Sequence, residues 1–184
     1  GDHRDLHLSI RRQRQMCIRD RIKGVKEILY PGQNKSIRYK KNLKKEVDLL
    51  SIDIDGNDFW IWKEIKCINP RLVVIEYNSF FGSRISCTIP YNPKFIWDYE
   101  KKRPYYGASL KALEKLGRKK KYTLVGVDKN GVNAFFVRND LAKNINLKSK
   151  NSKDIFIDNK REVRNSNQYL YWKKWLMAQD LIKI

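Results

Sequence analysis

The residues best placed to do chemistry fall in one short stretch, Val47-Asp48-Leu49-Leu50-Ser51-Ile52-Asp53-Ile54-Asp55-Gly56-Asn57-Asp58. A run of apolar and β-branched residues ends there in Asp53, Asp55 and Asp58, with Gly56 between the last two. A second apolar run, Leu72-Val73-Val74-Ile75, ends in Glu76-Tyr77-Asn78. Carboxylates grouped in this way can accept a proton from a hydroxyl, offer oxygen ligands to a hard cation, or attract a cationic cosubstrate. Imidazole chemistry is nearly excluded, because the only histidines are His3 and His7.

The elements that must position these groups can be read from the apolar pattern. Between the two runs, Phe59-Trp60-Ile61-Trp62-Lys63-Glu64-Ile65 has apolar positions at helical spacing, and Asn69-Pro70 closes the segment. Two runs apolar on both faces, joined by a helix-length connection, predict a right-handed βαβ unit of a parallel sheet. Ligands of open α/β sheets bind at the carboxyl ends of their strands, and both polar clusters fall at that edge. The site is expected there.

Three chemistries compete for the acidic stretch. Asp53, Asp55, Asn57 and Glu64 match positions 1, 3, 5 and 12 of a calcium-binding helix–loop–helix. However, the sixth position, where a sharp turn needs glycine, is Asp58, and a strand rather than a helix leads in, so this match is a coincidence of spacing. A divalent cation at the sheet edge is the second, with Asp53, Asp55 and either Glu76 or Asn78 as oxygen ligands. The third uses the carboxylates for a cationic cosubstrate and an acceptor hydroxyl. Asp58, just before Phe59, also has an ordinary helix-capping role open to it. For Asn78 and Asn133 a turn or edge hydrogen bond competes with substrate contact.

Composition sets the outer bounds. The 184 residues suit one domain with a real core, and the hydrophobic fraction of 41% fits a soluble globular chain. No segment approaches the roughly 20 apolar residues of a membrane helix. Forty Lys and Arg against twenty Asp and Glu leave a formal charge of +20. That excess admits a nucleic acid or another anionic partner, with Lys40–Lys45, Arg118–Lys121 and exposed tyrosines as the contact set. The abundance of Lys, Asn and Ile together also follows simply from an AT-rich coding sequence. Cys17, Cys67 and Cys87 are odd in number and form no C-x-x-C pair. No disulfide framework or zinc site is expected, and a reducing cytoplasm is the default compartment.

Residues 1–21 differ from the rest, being rich in arginine where the remaining chain uses lysine, and read as a non-native or disordered segment. Residues 22–46 lead into the first strand. From Ser79 to Tyr106 runs an aromatic and proline-rich connection that leaves the sheet at the ligand edge. A substrate lid and an inert packed excursion are equally open for it. Ser109–Leu116 is a helix, which Gly117 is placed to end. Tyr122–Val127 and Val132–Val137 form an antiparallel hairpin across Asp128-Lys129-Asn130-Gly131. Residues 143–165 are polar and read as a surface excursion or linker. Gln168–Ile184 is a terminal helix whose Trp172 and Trp175 seal a core edge.

The segment Asp48–Asp58, an apolar strand ending in acidic–x–acidic–Gly–x–acidic, resembles the corresponding motif of S-adenosylmethionine-dependent methyltransferases of the FkbM type. The strand ending in Ile75-Glu76-Tyr77-Asn78 and the hairpin through Asn133–Arg138 are similar to that group as well. The resemblance spans about residues 46–141, the second half of such a domain. It implies a Rossmann-like α/β sheet, truncated at its N-terminal side, with parallel strands and a terminal antiparallel hairpin. It implies methyl transfer to a hydroxyl of a sugar or small metabolite, with S-adenosylmethionine as cofactor and a divalent cation as an option. Asp55, then Asp58 or Glu76, would accept the hydroxyl proton. Asp53 and Gly56 would lie near the cofactor, and Asn78, Tyr105, Tyr106 and Asn133 near the substrate. The glycine-rich loop and ribose-binding acid of the cofactor half are not found upstream of Val47, where only Gly24 and Gly32 stand apart. The expected organisation is therefore a foreign segment at 1–21, a partial methyltransferase-like domain at 22–142, and a polar excursion with a helix at 143–184. The chain is expected to be a fragment, inactive by itself if that loop is missing.

Overall fold

The computed structural model describes residues 46–66, 68–98, 101, 103–159 and 165–184. The expectations for residues 1–21 and 22–45, Lys40–Lys45 included, lie outside the described residues, as do Cys17 and Cys67.

The apolar run preceding the acidic stretch is strand β1 (Glu46–Ile52), followed by helix α1 (Asp58–Glu64) and strand β2 (Asn69–Glu76). After a 3-10 turn at Ser79–Phe81 come β3 (Cys87–Thr88), α2 (Leu110–Lys119), β4 (Tyr122–Val127) and β5 (Asn133–Arg138). The chain continues through α3 (Asn139–Asn144), α4 (Ser152–Ile155), α5 (Ser166–Met177) and β6 (Ile182–Lys183). Four strands form one mixed sheet in the order β1-β2-β5-β4, and β3 pairs with β6 in a second, small antiparallel sheet.

β1 and β2 are parallel, with Glu46 opposite Asn69 and Ile52 opposite Ile75, so their carboxyl ends meet at one rim. β5 runs antiparallel to both β2 and β4, which therefore point the same way. The hairpin is thus folded so that its second strand, not its first, lies beside β2. Gly131 in its turn has φ +70, and its absent side chain leaves room for the Ile157 carbonyl, 2.5 Å from where a Cβ would stand.

The core lies between this sheet and helices α1 and α2. Val73 and Ile75 of β2, Leu124 of β4 and Phe136 of β5 meet Trp62 of α1 and Leu113 of α2, all of them buried. Trp62 packs on Phe136 at 4.8 Å between ring centroids and meets Tyr122 edge-on. The Tyr122 hydroxyl in turn donates to the Pro70 carbonyl, tying β4 to the start of β2. Burial of aromatic groups of this size dominates such a core.

Four expectations need correction. Gly117 does not end α2, which continues to Lys119 and turns at Lys121 with φ +65. A Cβ at Gly117 would stand 2.7 Å from Phe136, so glycine is there to let the helix approach the sheet. β1 is not buried on both faces: Leu49 is 55% exposed, and among the described residues β1 is the edge of its sheet. Of the two readings of the polar segment 143–165, surface excursion or linker, residues 143–151 are exposed as the first expects, but the linker reading fails over the described part. Lys150 N donates to Leu124 O, Ser152 N to the buried Glu114 carboxylate, and Asn159 N to Ser79 Oγ. Its backbone carries the docking, which side-chain polarity does not disclose. Finally, the terminal helix stops at Met177, and Ile182–Lys183 return as β6 against Cys87–Thr88.

α5 anchors a second, smaller core in which Leu176 is buried with Phe80, Phe81 and Cys87. Trp172 and Trp175 flank it, as expected, stacked edge-on at 5.6 Å. Cys87 is a free thiol in that core, pushed up to about 12 by burial and so inert as a nucleophile at neutral pH. No described helix is long and apolar enough to cross a membrane.

Candidate functional site

Parallel pairing of β1 and β2 brings the two acidic tips together. Asp53 and Asp55, just past β1, and Glu76, the last residue of β2, place carboxylate oxygens within 4.8 Å of one another. Asp53 is exposed, whereas Asp55 and Glu76 are half-buried. Asp55 adopts a left-handed backbone with φ +59, a conformation that aspartate tolerates better than most residues with a side chain. The cluster stands in the described part of a chain whose formal charge is +20.

Asp58 is not part of that open cluster. It is fully buried, and its carboxylate accepts hydrogen bonds from Ile54 N at 3.0 Å and Gly56 N at 2.9 Å. Burial pushes its pKa up to about 6 and so makes it a weaker acid, against the lowering effect of the backbone N–H groups, and the charge of Asp53 raises it further. A group so enclosed cannot meet a substrate hydroxyl, so its place among the proton acceptors is withdrawn. It does not cap α1 either: Asn57 holds the cap position, and the bonds of Asp58 reach back into the preceding loop.

Gly56 is buried beneath an aromatic ring. A Cβ there would stand 2.3 Å from Cδ1 of Phe95, so only glycine lets the ring lie on the loop. Its carbonyl accepts from Gly107 N at 3.1 Å. Beside it, the Asn57 side chain donates to Asn92 O at 2.7 Å and accepts from Asn92 N at 3.3 Å. Trp60 adds a bond from its indole N–H to Ile89 O, and its ring meets Tyr91 edge-on. The aromatic connection is therefore fastened across the acidic loop.

The same connection is closed at its base. Asn78 N donates to Ala108 O, Ile89 N to Gly107 O, and Thr88 Oγ1 also to Gly107 O. Between the tie at the base and the tie at Asn57, residues 91–94 and Ile96 remain exposed, with Ile96 at 84%. Of the two roles open to this stretch, the base is a packed excursion, and the tip forms a roof beside the carboxylates.

The remaining candidates divide. Asn78 is fully buried and spent on structure: its Nδ2 donates to Pro104 O and Tyr106 O, while its Oδ1 accepts from Phe80 N. Its substrate role is withdrawn. Asn133 sits opposite Glu76 in the sheet and donates from Nδ2 to Asp128 Oδ2, the turn bond that was its alternative. Tyr105 is half-buried beside Phe95, with ring centroids 6.4 Å apart, and its hydroxyl donates to Asp180 O. Tyr106 is buried and meets Trp97 edge-on. Through Phe95 and Trp97 these tyrosines support the roof.

Two residues that the sequence left out of the site belong to it. Phe95 and Asn92 reach the acidic loop only because the connection folds back, and no local spacing announces that. The glycine at 56 was the available signal, since an interior glycine next to a charged turn often marks a close approach. Arg118–Lys121, offered as part of a nucleic-acid face, is partly used internally. Arg118 pairs with the buried Glu114, and Lys120 donates to Ile65 O at 2.8 Å.

Comparison of the chain with protein-family models, with curated proteins and with solved structures gave no match.

Proposed function

We propose that this chain carries the acceptor-side half of an S-adenosylmethionine-dependent O-methyltransferase of the FkbM type, acting on a hydroxyl of a sugar or other small polyol. The observation that carries this reading is the convergence of Asp53, Asp55 and Glu76 at the carboxyl ends of two adjacent parallel strands. Two further features support it. A last strand runs antiparallel between two strands that point the same way, as the terminal hairpin of the resemblance implies. An aromatic ring is also fastened over the acidic loop at Gly56.

The donor set fits the cationic end of the methyl donor: carboxylate oxygens beside an aromatic ring attract an onium charge. The resemblance covers only the second half of such a domain, so cofactor binding is proposed for the chain joined to its upstream sequence. When bound, the cofactor supplies an electrophilic methyl group. The chain's own residues then have two tasks. Asp55 and Glu76, half-buried at the rim, hold the acceptor hydroxyl and take its proton as the oxygen becomes the nucleophile. Phe95 and the tip of the connection limit water and fix the acceptor's approach, which is where most of the rate arises in an in-line displacement.

One specific observation favours a second reading, a divalent cation held by the same three residues. Oxygens within 4.8 Å of one another can share a calcium-sized ion, whose ligands stand at roughly 2.3–2.6 Å. Isothermal titration of S-adenosylmethionine into the chain extended by its upstream coding sequence separates the two. Binding that survives chelation supports methyl transfer without a metal, and binding abolished by chelation supports the second reading. No binding under either condition rejects the methyl-donor proposal.

A further inference from the structure

We infer that Asp58 is a positioning residue: buried behind the acidic loop, its carboxylate holds Asp53 and Asp55 in the arrangement that faces Glu76. Three carboxylates meet at one rim, an arrangement that like charge disfavours unless the backbone beneath it is held. Asp58 holds that backbone directly: its two oxygens take Ile54 N at 3.0 Å and Gly56 N at 2.9 Å. Charge-assisted bonds of this type are about twice as strong as neutral ones. They grip the backbone on both sides of Asp55, the one residue between them, which is left with φ +59. A residue gripped at both neighbours has little freedom to turn, so Asp58 restrains the backbone of Asp55 from a buried place behind the rim.

Only a carboxylate can do this. An asparagine at 58 would offer one acceptor and set an NH2 group against the second backbone N–H. The ordinary explanation for an acidic residue at this place, a helix cap, does not apply, since both bonds run backward into the loop. The grip needs the ionised form, and burial together with the charge of Asp53 makes that form costly, raising the carboxyl from 3.8 to about 6. The site is thus held in shape above that pH and loosens below it. The clamp itself does not depend on which cation the rim attracts; its bearing on methyl transfer rests on the proposal above.

The test follows the amide protons of Ile54 and Gly56 by 1H–15N correlation spectra of the 184-residue chain between pH 8 and pH 4.5, in wild type and Asp58→Asn. The expected result is that both amides shift together with one midpoint near 6, and that the shift is absent in the variant while core amides such as Val73 keep their positions. Separate midpoints for the two amides, or a common midpoint near 4, overturns the inference, and this arm needs no variant to fold. A second arm compares S-adenosylmethionine binding by the upstream-extended chain, where Asp58→Asn should weaken affinity at least about tenfold at pH 7.5 with the fold intact. Unchanged affinity in the variant overturns the positioning role. If the wild-type chain itself does not bind, the methyl-donor proposal falls, and the amide titration alone decides the role of Asp58.

Discussion

Two regions of this molecule bury apolar groups in different ways. In the sheet core, Trp62, Ile75, Leu113 and Phe136 come from elements that each show their periodicity, and parallel pairing of β1 with β2 follows from short-range pattern. In the smaller core, Phe80 and Phe81 lie in a single 3-10 turn and Cys87 in a two-residue strand, and they are covered by Leu176 from a helix nearly a hundred residues later. The first region can hold a site rigidly because β2, which ends in Glu76, is paired on both sides, with β1 and with β5. The second fastens the aromatic connection from behind: Tyr105 reaches Asp180, and Arg103 lies over the ring of Trp175 at 5.3 Å. The difference teaches that the carboxylates and the roof above them are held by separate cores, so one can be loosened without the other.

The largest expected effect breaks the first region. Trp62→Ala removes the ring that joins α1 to Phe136 and Tyr122, and should cost about 3–5 kcal/mol in urea unfolding, with loss of cooperativity across the whole sheet. Leu176→Ala should cost about 2–4 kcal/mol in the second region, but the loss should stay local. Hydrogen exchange would then quicken in α5 and around Phe80–Phe81 while Val73 and Ile75 keep their protection. Equal quickening in both regions would mean that they are one cooperative unit and that the comparison is wrong.

Acidity sharpens the contrast next, because Asp58 belongs to the first region. Its carboxyl stands at about 6 in the fold against 3.8 ordinarily, so ionising it in place opposes folding. The sign follows: stability linked to this group is full below about pH 4, falls as pH rises to 6, and is level above that. Wild type should therefore gain on Asp58→Asn by about 2 kcal/mol when pH is lowered from 7 to 4.5, read as a difference in melting midpoints. The smallest effect probes the join between the sheet and the polar segment. Tyr77→Phe deletes the hydroxyl that donates to Ile157 O at 2.7 Å, and should cost about 1 kcal/mol, with faster exchange confined to residues 155–159.

What was legible in the sequence follows the same division. Apolar runs, turn residues and helical spacing disclosed β1, α1, β2, the hairpin and the rim where Asp53, Asp55 and Glu76 meet. They failed where the decisive partner is distant or is backbone. Gly117 looks like a helix end because glycine often is one, yet the ring of Phe136 requires it. Residues 150–159 look solvated because their side chains are polar, although their N–H and C=O groups make the contacts. Asp58 and Asn78 look like site residues by type. Only the fold shows that one grips the loop and the other ties the base of the aromatic connection.

The most direct measurement on the rim as a methyl-donor site is a chemical-shift map of the upstream-extended chain titrated with S-adenosylmethionine. The largest changes should fall on the amides of Ile54–Gly56 and Glu76–Asn78, and they should vanish when Asp55 and Glu76 are replaced together by Asn and Gln. Changes centred on another face, or the same changes persisting in the double variant, would contradict the proposal.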